Sequence, residues 1–213
     1  MRFGVNEAIG WMKKANENIQ RHKEYLTDLD QATGDGDHGL NMCRGFQEVV
    51  ASLEKTSYTD IGAVFKDTAM TLLSKVGGAS GPLYGTAFLK ASLFFKDKVV
   101  VDVQELGEGL LEALSGIKLR GKAMVLDKTM IDVWEPAIHF IQANHSSMDW
   151  MEFVEDVHRH VDKTKEMQAK KGRATYLGER AKGHIDPGAA SSALLFEALA
   201  EVYQEGGHLG GEG

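Results

Sequence analysis

Three aspartates, Asp30, Asp35 and Asp37, fall inside the stretch LDQATGDGDHGLN (29–41), and His38 follows directly. Carboxylates this close repel: two unit charges about 4 Å apart cost roughly 4 kcal/mol at an effective dielectric near 20. Converging carboxylates therefore call for protonation or for a divalent cation between them. Hard oxygen donors, no thiolate and little imidazole favour Mg2+ or Ca2+ over zinc. The Asp-x-Asp spacing looks at first like a calcium loop, but the further ligands and the closing bidentate Glu of an EF-hand are absent. Mg2+ keeps open coordination positions and commonly fills them with phosphate oxygens. The glycines at 34, 36 and 39 then have a use, because they let backbone N–H groups approach a phosphate closely. The plain alternative is a polar turn whose Asp side chains cap helices.

Two further loops tilt the balance toward a phosphate ligand. GGAS (77–80), just before Pro82, offers free N–H groups and a hydroxyl at a helix start, which suits an anion. No Lys-Ser/Thr follows, so it is not a Walker loop, and Gly-Gly can also be a simple helix stop. GRATYLGER (172–180) places Arg173 and Arg180 beside glycines, as a phosphate clamp or lid would; a solvated basic loop is the bland reading. An acidic loop, Gly-rich helix starts and a basic lid together point to a Mg–nucleotide complex. His38 could serve as ligand, proton carrier, phosphate donor or structural turn residue. His158 and His160 fall on different faces of one helix and read as solvated. Cys43 reads as a packed thiol, and Trp11, Trp134 and Trp150 as core.

The elements that must position these loops are helical. Apolar residues recur at steps of three and four in eight runs, among them Val5–Ile19, Met42–Leu53, Ile61–Val76 and Leu83–Phe95. Asp102, with Glu105 three residues on, has the form of a capping box for the run Leu106–Ile117. The run from Met130 to Ile141 contains Pro136, which should kink it unless the helix starts late. Asp149 and Pro187 open the last two runs. Only KVVVDV (98–103) looks extended. The expectation is an all-α domain over 1–204, with a flexible Gly-rich tail at 205–213 and the function carried by loops at one end of a bundle.

Bulk properties agree. A chain of 213 residues, 43% apolar and 26% charged, suits one globular domain. Its net charge of −7 offers no general attraction to nucleic acid or an anionic membrane. The single cysteine excludes an internal disulfide, and no apolar run approaches the roughly 20 residues that span a bilayer. With no signal-peptide core at the start, a cytoplasmic location is expected.

Four segments, YLTDLD…GDGDHGLNM, TLLSKVGGASGPLYGTAF, RGKA…DKTMIDVW and KKGRATYLGERAKGHIDPGA, are together similar to the nucleotide-binding L subunit of bacterial dihydroxyacetone kinase, the DhaL family. They occur in the same order and span about 25–189. The resemblance implies an antiparallel barrel of eight amphipathic helices with ADP or ATP at one end. It implies that Asp30, Asp35 and Asp37 hold two Mg2+ ions bridging the phosphates. His38, Gly39, Leu40 and Asn41 would line the phosphate and ribose side, and Ala79 and Ser80 would contact phosphate through the helix start. Gly121 and Met130 would line the adenine pocket, Arg173 would reach the phosphates, and Asp186, Pro187 and Gly188 would close the site.

The implied activity is phosphoryl transfer to dihydroxyacetone held on a separate K subunit. The one-domain chain resembles the phosphoenolpyruvate-dependent form, in which bound ADP is recharged by a phosphohistidine on the M subunit of the phosphotransferase system. Two other readings stay open from the residues. One is an ATP-exchanging subunit of a kinase for another small keto-sugar. The other is a nucleotide-dependent partner of a transcriptional regulator.

Overall fold

The computed structural model describes residues 2–208. Among them are nine α-helices: α1 (Val5–Arg21), α2 (Lys23–Thr33), α3 (His38–Leu53), α4 (Ile61–Lys75), α5 (Ser80–Phe94), α6 (Val103–Gly121), α7 (Ile131–Asn144), α8 (Trp150–Lys163) and α9 (Pro187–His208). The extended stretch near 98–103 shrinks to β2 (Val100–Val101), which pairs antiparallel with β1 (Phe3–Gly4).

Eight of the helices close a ring in which each packs on the next: α1, α3, α4, α5, α6, α7, α8, α9 and back to α1. This is the expected all-α barrel. The seam between first and last helix is held by the Trp11 indole N–H, which donates to the Leu195 carbonyl at 2.7 Å. Aromatic edges fill the interior, with Trp11 edge-on to Phe65 at 5.8 Å and Trp134 edge-on to Phe196 at 5.1 Å. Side-chain caps fix several helix starts. The carboxylate of Asp60 accepts from the Ala63 N–H, that of Asp102 from Glu105, and that of Asp149 from Met151 and Glu152.

Four local features refine the periodicity, two of them as expected at Pro82 and Pro136. First, α2 has no counterpart among the eight runs; it lies outside the ring and packs on α3 and α9. Second, α5 begins at Ser80, so Pro82 sits in its first turn, where a missing N–H costs nothing. Third, α7 starts at Ile131 and runs through Pro136 in its second turn, so only one helical hydrogen bond, to the Asp132 carbonyl, is lost. Fourth, of the segment 205–213 expected as a flexible tail, residues 205–208 complete α9, and 209–213 lie outside the described residues. No described helix is long and apolar enough to cross a membrane.

Candidate functional site

Neighbouring ring helices alternate in direction, so the starts of α3, α5, α7 and α9 gather at one end, around a cavity of about 630 Å3. Each helix start presents N–H groups that have no partner within their own helix, and the positive end of its dipole, so this end attracts anions.

Asp30, Asp35 and Asp37 stand at the rim. Each offers a carboxylate oxygen within 4.8 Å of the other two. Asp30 belongs to the last turn of α2, and its Oδ2 accepts the N–H groups of Asp37 at 2.9 Å and His38 at 3.0 Å. The start of α3 is therefore capped from α2. The capping alternative holds for Asp30, which caps and joins the cluster together. Across the rim the Arg173 guanidinium meets Asp35 at 2.6 Å and supplies the local counter-charge. Three hard oxygens with no thiolate fit Mg2+.

Of the residues expected at the site, His38, Asn41, Ala79, Ser80, Gly121, Met130, Arg173, Asp186, Pro187 and Gly188 all line the cavity, with the three aspartates. Gly39 and Leu40 do not. Gly39 faces the backbone of α2, and Leu40 points to solvent.

His38 is buried, with both ring nitrogens engaged: Nδ1 with the Ser80 hydroxyl at 3.0 Å and Nε2 with the Ser191 hydroxyl at 2.9 Å. Burial pushes its pKa below the usual histidine value, against the pull of Asp30 and Asp37. A neutral imidazole donates at one nitrogen and accepts at the other, which matches two hydroxyl partners. The network continues inward. Tyr84 shares hydrogen bonds with Ser191 and Ser192, each at 2.8 Å, and the Trp134 indole donates to Ser192 at 2.9 Å. Burial pushes the Tyr84 hydroxyl up, so it stays protonated. The chain of polar groups pins α3, α5, α7 and α9 together beneath the cavity floor. Sequence patterning missed it, because Tyr84 and the Ser191-Ser192 pair occupy ordinary core positions. Two adjacent serines on a buried helix face are the one available signal.

The wall between α6 and α7 is also tightly built. Lys122, Leu126 and Lys128 all adopt left-handed backbone with φ of 48°, 71° and 61°. Non-glycine residues in this region cost of order 1 kcal/mol each. Asp132 holds the loop in place, its carboxylate accepting the N–H groups of Leu126 at 2.5 Å and Thr129 at 2.8 Å.

Asp186 caps α9 through the Ala189 N–H at 2.8 Å. Burial pushes its carboxyl up to about 7, although the N–H groups of Ala189 and Gly188 and the charge of Lys128 pull the other way. A carboxyl that holds its proton better folded than unfolded stabilises the fold at low pH. That contribution is complete below about pH 4 and lost as pH rises through about 7. Asp186→Asn is therefore expected to flatten the fall in melting temperature of the ligand-free protein between about pH 5 and 7. Parallel pH curves for variant and wild type would contradict the assignment.

Comparison with known proteins gives the family. The DAK2 domain model matches residues 32–201. The chain is 46% identical over 202 residues, 95% of this chain and 98% of the relative, to the PEP-dependent dihydroxyacetone kinase 1, ADP-binding subunit DhaL, of Listeria innocua. It is 40% identical over 210 residues, 96% of this chain and all of the relative, to the corresponding Escherichia coli subunit. The crystal structure of the dihydroxyacetone kinase from C. freundii in complex with AMP-PNP and Mg2+ superposes with a TM-score of 0.73 at 24% identity, over 94% of this chain and 34% of that longer one. That likeness speaks to the fold, whereas the family model and the full-length relatives decide the family. The chain belongs to the DAK2-domain family, among its DhaL-type subunits.

Proposed function

We propose that this chain is the nucleotide-binding, phosphoryl-transfer subunit of a phosphoenolpyruvate-dependent dihydroxyacetone kinase. One observation carries the reading furthest: a three-carboxylate cluster stands at the rim of a cavity onto which four helix N-termini converge. Its end-to-end likeness to subunits named as ADP-binding supports it. In this reading Asp30, Asp35 and Asp37 hold two Mg2+ ions, and Mg2+ supplies charge neutralisation and alignment of the phosphates.

The chain's own residues do the rest. Ala79, Ser80 and the N–H groups at the start of α5 receive phosphate oxygens. His38, held between Ser80 and Ser191, fixes the Ser80 hydroxyl rather than acting as a free proton carrier. Arg173 exchanges Asp35 for phosphate when a nucleotide enters. Gly121, Met130 and Leu83 wall the base side, and Asp186, Pro187 and Gly188 close the floor.

Phosphoryl transfer depends on positioning and charge more than on a protein nucleophile. The receiving hydroxyl belongs to dihydroxyacetone on a K subunit, and bound ADP is recharged by the phosphohistidine of an M subunit. A cytoplasmic setting goes with those partners and with the buried free thiol of Cys43.

The test is mass analysis of small molecules released by heat from freshly purified protein, together with its metal content. ADP with about two Mg2+ per chain is expected. Protein that yields no nucleotide, and binds none when Mg–ADP is added, would overturn the reading.

A further inference from the structure

Twenty-three residues separate α8 from α9, and they form a strap over the cavity mouth rather than a helix pair's short turn. Short 3-10 turns at Thr164–Glu166 and Arg173–Ala181 are its only regular structure. Ala169, Ala174, Ala181 and Leu177 pack among themselves as a small cluster apart from the main core. Glycines 172, 178 and 183 have φ of 68°, 56° and 85°, and a side chain at any of them would meet open space. Tyr176, in its middle, is 87% exposed. The strap carries Arg173 yet has little of its own to hold it in place.

Its middle leans on α2 and on the Arg173–Asp35 pair, and its feet are held by the α6–α7 loop. Lys128 is 1% exposed, and its ammonium donates to the carbonyls of Thr164 and His184, both at 2.5 Å. These carbonyls belong to the two feet of the strap. The feet also touch directly, through the Gly183 N–H to the Lys165 carbonyl at 2.8 Å and the Asp186 N–H to the Thr164 hydroxyl at 3.1 Å. Asp127, next in the chain, gives a third tie: its carbonyl accepts the Lys170 N–H at 3.0 Å. A lysine with no exposed ammonium, on a left-handed backbone, reaching two carbonyls 20 positions apart in the strap, is costly to place and has a definite mechanical consequence.

We propose that Lys128 is a positioning residue that locks both feet of the strap to the α6–α7 loop, so that the loop beside the base side of the cavity sets where Arg173 stands on its phosphate side. The inference deepens the proposed function and rests on it only for what the cavity holds. Its ligand-free part stands on hydrogen bonds alone. Binding at the loop and closure of the strap become one event, because Lys128, the one buried lysine among the described residues, serves both.

Hydrogen exchange read by mass spectrometry on the nucleotide-free protein is the first test. In wild type, amides at 164–167 and 183–186 are expected to exchange as slowly as the adjoining ends of α8 and α9, with 172–180 fast. In Lys128→Met, a neutral side chain of similar length, the feet are expected to exchange about tenfold faster or more, with α3 to α6 unchanged. Feet that exchange like 172–180 in wild type, or feet unchanged in the variant, overturn the proposal. If Lys128→Met does not fold, Lys128→Gln and the wild-type comparison still decide it.

The second test is release of ADP in Mg2+, expected to be about tenfold faster in Lys128→Met while Mn2+ binding to the nucleotide-free acidic cluster stays at the wild-type level. Parallel loss of both would mark Lys128 as merely structural and overturn the proposal. A wild type that binds no ADP sinks the functional reading but leaves the exchange test of the clamp intact.

Discussion

Replacing Asp37 by Asn is expected to abolish retention of Mg–ADP, leave the helical fold intact and make the ligand-free protein slightly more stable. The three effects share one cause. Without a cation, the carboxylates of Asp30, Asp35 and Asp37 lie within 4.8 Å of one another, a repulsion of about 3.5 kcal/mol or more per pair at an effective dielectric near 20. Solvent at the rim screens most of it, so removing one charge returns only a few tenths of a kcal/mol. With the cation bound, the sign reverses and each lost charge costs affinity. Removing one partner of a close charge pair costs about 2–5 kcal/mol, so retention falls by about thirtyfold or more.

Asp35→Asn is expected to lose nucleotide in the same way without the gain in stability, because it also releases Arg173. Asp30→Ala differs again: it removes the cap on α3 and so lowers the melting temperature as well. Equilibrium dialysis with Mg–ADP and thermal melts with and without ligand separate the three. Wild-type retention in both Asp35→Asn and Asp37→Asn would sink the metal assignment.

The eight barrel helices were legible in the sequence because each buries a broad apolar face, and burial writes a 3.6-residue period into the chain. The ninth, α2, was not. Of its eleven residues only Leu26 and Thr33 are buried, and it follows α1 after a single residue, His22, with no glycine or proline to mark a turn. That miss mattered, because α2 carries Asp30. The stretch 29–41 therefore runs from the last turn of α2 through a four-residue loop at 34–37 into the first turn of α3, and α2 sets the separation of Asp30 from Asp35 and Asp37.

The specialised loops were legible as loops from their glycines and charges. Resemblance assigned their roles, and all four line the cavity or its rim. What stayed hidden was the buried polar framework. Nothing in the sequence marks Lys128 and Asp132 as buried, since charged side chains are seldom so. Only the carbonyls and N–H groups they meet, set by long-range contacts, make their burial tolerable. The left-handed backbone of the α6–α7 loop is likewise enforced by those partners and has no glycine to announce it.

Gly39→Ala is expected to lower the melting temperature by about 3–10 °C and to weaken Mg–ADP retention by about tenfold, though residue 39 does not line the cavity. Gly39 is the second residue of α3 and sits where α2 comes closest. A methyl group there would fall well inside contact distance of the Lys23 carbonyl oxygen and the Thr27 hydroxyl, and 2.9 Å from the Thr27 nitrogen. Two of those atoms are backbone, and the Thr27 hydroxyl is itself bonded to the Lys23 carbonyl at 2.9 Å, so no flexible side-chain end can move aside. The strain must lift α2 from α3. Overpacking of this kind typically costs about 1–3 kcal/mol.

The functional loss follows from the same displacement, since Asp30 rides on α2 and its Oδ2 is registered on the N–H groups of Asp37 and His38. Gly10→Ala is the matched control. It lies inside α1, its methyl would meet only Val202 at 3.7 Å, and alanine is the better helix former, so stability is expected to hold or rise. If Gly39→Ala melts and binds like wild type while Gly10→Ala behaves as expected, the close packing of α2 on α3 is not what sets the metal cluster. A fall in stability without a fall in retention would separate the two roles of α2. The larger loss is expected in retention, because an ångström of misplacement at a charge cluster costs more than the same shift at a helix surface.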